Sequence, residues 1–279
     1  MSYHTDRFEI HLPIEKSGAN AVDLLADACE LSKQHLKRIM LKGAVWVSVG
    51  KKTQRLRRAK RLLKAGETLH LYYDKTVLER ETAEPELIAD YVHYSVWNKP
   101  YGVLSQGSKW GDHCTVTRWA EQQLKPQRNA FVVHRLDRAA NGLIVIAHEK
   151  QAAAKLSALF QQRDIDKRYR IWVEGEFSDK ATVDAPISVD EPIDGRHARS
   201  HFVFLEYDSI QQQTLLDVSI ETGRKHQIRR HAASLGFPVI GDRLYGQRKT
   251  NENLQLSAYY LAFTCPFTQQ HREFNLLAS

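Results

Sequence analysis

The run His134-Arg135-Leu136-Asp137-Arg138-Ala139-Ala140-Asn141-Gly142-Leu143-Ile144-Val145-Ile146-Ala147 decides how this chain is read. After Gly142 every residue to Ala147 is apolar, which suits a strand buried on both faces of a sheet. The polar residues just ahead then form a loop at the sheet edge, opening into a cleft. Asn141-Gly142 supplies a tight turn that backbone or substrate can approach closely. An aspartate in such a loop, Asp137, can serve as a base or a nucleophile. Most loop aspartates are only solvated, so the four residues His134 to Asp137 need support from elsewhere.

Downstream, residues 149–163 read as a helix with Ala153, Leu156, Leu159 and Phe160 inward. Strands are expected at 171–173, 202–205 and 215–220. Lys167-Arg168-Tyr169 sets a tyrosine beside two cations, where it can stack on a base, carry a proton, or simply occupy a strand interface. Glu221-Thr222-Gly223-Arg224-Lys225-His226-Gln227-Ile228-Arg229-Arg230-His231 reads as a strand end, a glycine turn and a helix running to Gly236. Arg224, Lys225, Arg229 and the positive end of that helix suit an anion; Arg229 alternatively pairs with a carboxylate. The stretch 236–246 is read as a structural turn in which Asp242 is a hydrogen-bonding residue. Upstream, Val92 and Val96 suggest a strand ending at Asn98-Lys99-Pro100, and residues 76–90, acidic and carrying Pro85, read as a linker.

The amino-terminal section has its own pattern. Val22, Leu25, Ala26 and Cys29 recur at helical spacing; Ser32 can cap a second helix and Gly43 can end it. Leu36, Ile39 and Met40 form the apolar stripe of that helix, with Lys33, Lys37, Arg38 and Lys42 off it. Val45, Val47 and Val49 alternate as a strand does, and a second strand is expected at 69–73. Between Lys33 and Lys64 there are twelve Lys and Arg residues and no Asp or Glu, in a chain of net charge +7. Such a one-signed run points to a polyanion, and to nucleic acid first.

Composition removes several classes. Three cysteines, Cys29, Cys114 and Cys265, are far apart and form no Cys-x-x-Cys pair, so neither a disulfide framework nor a zinc site is expected. Metal ligands, a dinucleotide fingerprint and a phosphate-binding Gly-Lys-Ser/Thr loop are all missing from the sequence, so no cofactor is expected. A zinc deaminase or a metal-dependent nuclease fits poorly. With 42% hydrophobic residues the 279-residue chain can bury a substantial core. It shows no membrane-length apolar run and no secretory pattern, so a cytoplasmic, monomeric protein is expected, with no membrane partner.

Taken in order, Asn98-Lys99-Pro100, His134 to Asp137, Lys167-x-Tyr169 and Thr222 to Arg229 resemble the RluA-type pseudouridine synthases, with 236–246 a further match. Leu31-Ser32-Lys33, Leu36, Ile39, Gly43-Ala44-Val45-Trp46-Val47 and Lys64-Ala65-Gly66-Glu67 resemble the small alpha-L RNA-binding module. The resemblances imply an α+β fold: a curved, largely antiparallel mixed sheet with flanking helices, plus a small α+β RNA-binding domain. They imply an alpha-L-type domain over 1–75, a linker over 76–90 and a catalytic domain over 91–279. Asp137 falls on the catalytic aspartate, Tyr169 on the active-site tyrosine and Arg229 on the active-site basic residue. Arg135 falls on the arginine associated with RNA and the flipped nucleotide. His134, Arg224, Lys225, Lys33, Lys37, Arg38 and Lys42 are expected on the RNA. The implied activity is the isomerisation of uridine to pseudouridine, in ribosomal RNA of the large subunit first and in transfer RNA as the alternative.

The chain departs from the family pattern in places. Arg138-Ala139-Ala140-Asn141-Gly142 stands where a segment ending Thr-Ser-Gly is common, Ser257 where a His is frequent, and Ser200 in place of a usual Thr. Val47-Ser48-Val49-Gly50-Lys51 stands where the RNA-binding module usually has Val-Asn-Gly-Lys. The altered 138–141 turn motivates a rival reading, an inactive RNA-binding or ribosome-assembly factor on the same scaffold.

Overall fold

A computed structural model describes residues 6–177, 185–246 and 251–278. Its internal contacts divide the chain into two units: Met1–Glu81 with Gln106–Trp119, and Thr82–Ser105 with Ala120–Ser279.

The first unit begins with β1 (Arg7–Pro13), followed by helices α1 (Ala21–Ala28) and α2 (Lys33–Leu41). Strands β2 (Val45–Val49), β3 (Lys52–Arg55) and β4 (Thr68–Asp74) come next, then the short α3 (Lys75–Leu78). Its four strands lie in the order β1-β4-β2-β3, all antiparallel. Both helices start at side-chain caps: Asn20 Oδ1 accepts from the Val22 N–H at 2.8 Å, and Ser32 Oγ, as expected, accepts from the His35 N–H at 3.2 Å. Val22, Leu25, Leu36, Ile39 and Met40 join Val45, Val47, Leu69 and Leu71 in one buried cluster. Each large side chain in it contributes about 1.5–3 kcal/mol on leaving water.

Three features differ from the sequence expectation. β1 lies outside the elements the sequence reading names, although Phe8, Ile10 and Leu12 alternate along it with Arg7, Glu9 and His11. The basic stretch contains β3, whose side chains are largely exposed and so lack a two-residue apolar period. Residues 76–90 are not a plain linker. They hold the end of α3 and then β5 (Glu86–Asp90), a strand that lies at one end of its sheet and pairs only with its successor. Pro85 precedes that strand and so costs it no ladder hydrogen bond.

The second unit continues with β6 (Tyr94–Lys99), α4 (Val116–Gln123), which begins among residues of the first unit, β7 (Phe131–Val132), β8 (Asn141–Ala147), α5 (Lys150–Gln162) and β9 (Ile165–Glu174). β10 (Ile187–Asp190), β11 (Arg199–Asp208), β12 (Gln213–Ile220), α6 (Gln227–Ser234), β13 (Leu256–Thr264) and β14 (His271–Asn275) complete it. The sheet runs β10-β11-β12-β9-β13-β8-β6-β5, with β14 on β13 and β7 on β8. Gly142 to Ala147 of β8 are all buried, as the apolar run requires. Among the described residues every pairing is antiparallel except β13 with β8, a parallel contact at Ser257 with Asn141 and Ala258 with Gly142. Gly142 has φ +112, and a Cβ there would lie 2.3 Å from the Ala258 carbonyl oxygen, so only glycine fits. The fold is thus α+β with a mixed, mostly antiparallel sheet, as expected.

Candidate active site

Asp137 lies on the loop leading into β8, and buried groups fix that loop from below. Lys99, at the end of β6, is wholly buried, and its Nζ donates to the carbonyls of Ala140 (2.6 Å), Val103 (2.9 Å) and Pro100 (3.2 Å). Three acceptors for three donors satisfy a cation that burial penalises. Burial lowers its pKa to about 8, with the Asp137 charge opposing the shift. Ser105 Oγ accepts from the Leu136 N–H and donates to the Leu136 carbonyl, and the Ala140 N–H returns to the Asp137 carbonyl at 3.1 Å. The turn keeps its place without the hydroxyls of a Thr-Ser pair.

Arg229 reaches Asp137 from α6. At the first position of that helix, Gln227 closes the turn: its Oε1 accepts from Thr222 Oγ1 and from the Arg224 N–H, while its Nε2 donates to the Arg199 carbonyl and to Ser200 Oγ. Arg229 is buried and forms a fork with Asp242, Nε to Oδ2 and Nη2 to Oδ1, both at 2.7 Å. Its remaining nitrogen, Nη1, donates to Asp137 Oδ2 at 3.3 Å. Asp242 is the turn residue the sequence suggested, since its Oδ1 also accepts from the Leu244 and Tyr245 N–H groups. The sequence did not reveal that it also orients Arg229. Burial works against both charges of this fork. The hydrogen bonds win in each case, raising Arg229 and holding the Asp242 carboxyl below its ordinary value.

Tyr169, on β9, is buried. Burial first, and the negative charge of Asp137 second, push its phenol above the ordinary tyrosine value. His226, just before α6, has its Nε2 3.8 Å from Asp137 Oδ2 and its Nδ1 3.0 Å from Tyr245 Oη. The Tyr245 ring in turn lies 5.2 Å from the Arg229 guanidinium. Asp137 keeps a 30% exposed side chain within this otherwise enclosed group. The structure therefore joins Asp137 to Arg229, with Asp242 and His226 beside them, and leaves Tyr169 and Lys99 near enough to feel the charge of Asp137. His226 and Lys99 stood within quoted motifs, but nothing in the pattern singled them out.

The residues expected on RNA divide. Arg135 and Lys225 are exposed, and Arg224 is half-buried with its Nε on the His197 carbonyl. His134 is committed to the scaffold instead. Its Nε2 accepts from the Val145 N–H at 3.0 Å, its ring stacks on Phe160 at 4.1 Å, and burial lowers its pKa to about 3. A neutral ring that uses its acceptor on the backbone offers no cation to a phosphate. In the first unit, Lys37 and Arg38 are exposed, Lys33 pairs with Asp23 at 2.7 Å, and Lys42 donates to the Leu78 carbonyl. The one-signed run is also partly neutralised by carboxylates from outside it: Arg55 and Arg57 meet Asp112, and Arg61 meets Glu67. Among the described residues, no three His, Cys, Asp or Glu side chains are grouped to hold a metal ion.

The family model for RNA pseudouridylate synthase matches residues 93–234, just over half of the chain, including Asp137, Tyr169 and Arg229. An RNA pseudouridine synthase of Chloroflexus aurantiacus is 36% identical over 63% of this chain and 60% of its own length. A ribosomal large subunit pseudouridine synthase D of Nitrosomonas europaea is 35% identical over 56% of this chain and 48% of its own. A tRNA pseudouridine synthase C of Haemophilus ducreyi is 33% identical over 62% of this chain and 82% of its own. The chain thus spans about half to three-fifths of the length of the first two. A human RNA pseudouridylate synthase domain-containing protein shares the fold, with a TM-score of 0.58 over 70% of this chain and 85% of its own, at 22% identity. By sequence and by fold, the chain belongs to the RNA pseudouridylate synthase family.

Proposed function

We propose that this chain isomerises a uridine of structured RNA to pseudouridine, with Asp137 as the reacting carboxylate. One observation carries the reading. A part-exposed aspartate is held on one oxygen by an arginine that a buried second aspartate locks in place. The reaction breaks the C1′–N1 bond, turns the uracil and forms a C1′–C5 bond. A proton leaves C5 and one is gained at N1, so the change is redox-neutral and needs no co-substrate. Asp137 attacks the sugar or removes a proton from it; Tyr169 stacks on the uracil and can donate a proton. The nucleotide must first leave its stack, at a cost of a few kcal/mol. Arg135, Arg224 and Lys225 near the site, with Lys33, Lys37, Arg38 and Lys42 of an alpha-L-type first unit, would offset that cost through phosphate contacts.

The basic first unit favours large-subunit ribosomal RNA as substrate, and the ribosomal name of the Nitrosomonas relative supports it. The name of the Haemophilus relative supports transfer RNA as the second reading. The enzyme is read as a cytoplasmic monomer. Pseudouridine is mapped across ribosomal and transfer RNA in a strain lacking the gene, complemented with wild type or with Asp137→Asn. One site restored by wild type and not by the variant is the expected result. An unchanged map would instead favour the inactive RNA-binding factor.

A further inference from the structure

We infer that His226 is a positioning residue for Asp137, and that with Arg229 it reserves Oδ1 of that carboxylate for the nucleoside. This rests on the reading of Asp137 as the reacting group. Both neighbours address the same oxygen: Arg229 Nη1 lies 3.3 Å and His226 Nε2 3.8 Å from Oδ2. Among the described residues no hydrogen bond reaches Oδ1, and that atom is not among the buried unpartnered ones. A carboxylate gripped on one oxygen presents the other in a fixed direction.

The ring's orientation is set from behind. Tyr245 Oη is 3.0 Å from Nδ1; a phenol that donates there leaves the ring proton on Nε2, directed at Oδ2. Burial is the main influence keeping the imidazole neutral. Arg229 and Lys225 act the same way, against Asp137 and Asp242. The contact at 3.8 Å is longer than a hydrogen bond, as catalytic contacts often are before substrate arrives. The backbone of His226 is left-handed, φ +56, which a non-glycine residue adopts at a cost. That conformation offers a rival explanation, that the residue merely forms the turn.

Two substitutions separate these explanations. Asparagine tolerates the left-handed conformation well but cannot reach Asp137; glutamine suits the turn less but can bring an amide N–H towards Oδ2. Full-length wild type, His226→Gln, His226→Asn and Asp137→Asn are given ribosomal and transfer RNA from a strain lacking the gene. Pseudouridine formation is timed with enzyme in excess, RNA affinity is measured separately, and thermal melting checks folding. The inference expects His226→Asn to lose about 100-fold in rate with affinity within about twofold of wild type, and His226→Gln to recover at least about tenfold of that loss. If His226→Asn matches or exceeds His226→Gln while Asp137→Asn is inactive, His226 is a turn residue and the inference falls alone. Should Asp137→Asn modify RNA as wild type does, the reading beneath it falls instead.

Discussion

Each unit contains an arginine–aspartate knot, and the two have opposite stoichiometry. In the first, Arg55 and Arg57 converge on the single carboxylate of Asp112, whose side chain is 14% exposed. Arg55 spends its other nitrogens on the carbonyls of Gly43 and Ser108, and its guanidinium lies 4.1 Å from the Trp46 ring. The oxygen of Asp112 that takes no arginine, Oδ1, is buried. In the second, one guanidinium serves two carboxylates, and Asp137 keeps a 30% exposed side chain. Excess cation closes the acid; excess acid leaves one carboxylate available. Counting partners at each oxygen thus separates a closed carboxylate from one with an oxygen left open.

The sharpest way to break this contrast is Asp137→Asn, which should cut the rate of pseudouridine formation about a thousandfold while shifting stability by less than about 1 kcal/mol. Next is Asp242→Asn. It strands Arg229 in the interior and should cost about 3–5 kcal/mol in denaturant melts, with activity falling as Arg229 loses its aim. The Asp242 carboxyl is held below its ordinary value, so its stabilisation is fully present above the unfolded value of about 4. It is lost as pH falls through the depressed folded value, and the variant should lack that acid-side loss. Asp112→Asn should cost less, about 1–3 kcal/mol, and leave the rate at saturating enzyme within about twofold of wild type.

Smaller effects are expected further from the two knots. His134→Leu leaves the Val145 N–H without its acceptor and should cost about 1–2 kcal/mol. With the imidazole lowered to about 3 in the fold, the wild-type contribution is present above the unfolded value near 6.5 and declines as pH falls from there. Melts between neutral and acid pH should show that decline in wild type and a shallower one in the variant. Smallest is Lys37→Ala or Arg38→Ala: RNA affinity should drop a few-fold, and the slope of log affinity against log salt should lessen by about 0.7–0.9 for each phosphate contact removed.

The sequence displayed what local patterns can carry. The apolar run of β8, the capped α2 and the alternation of β2 were all legible, and residues 149–163 were read within one position of α5 at each end. Asp137, Tyr169 and Arg229 stand out through the family resemblance of the short motifs around them. What stayed hidden depends on distant partners. Gln106–Trp119 groups with the first unit although it lies within the second in sequence, through contacts such as Asp112 with Arg55 and Arg57 that no local periodicity announces. β3 and β5 carry too few inward apolar residues to mark a strand. Asp242 was read as a turn residue because a turn accounts for a Gly-Asp pair without invoking an arginine thirteen positions earlier. Counting charge along the chain likewise overstated what the basic run presents to a partner, since Arg55, Arg57 and Arg61 face carboxylates from outside it.

Gly142 has a consequence beyond its turn. Asp137 lies on the loop that enters β8, whereas Tyr169 is on β9 beyond β13 and Arg229 is on α6, and two residue pairs stitch β8 to β13. A methyl group at position 142 would press on the Ala258 backbone. The wedge would open the stitching five residues downstream of Asp137, drawing the carboxylate and its guanidinium apart while the hydrophobic interior stayed shut. The alignment of Asp137 with Arg229 therefore depends on the absence of a single carbon.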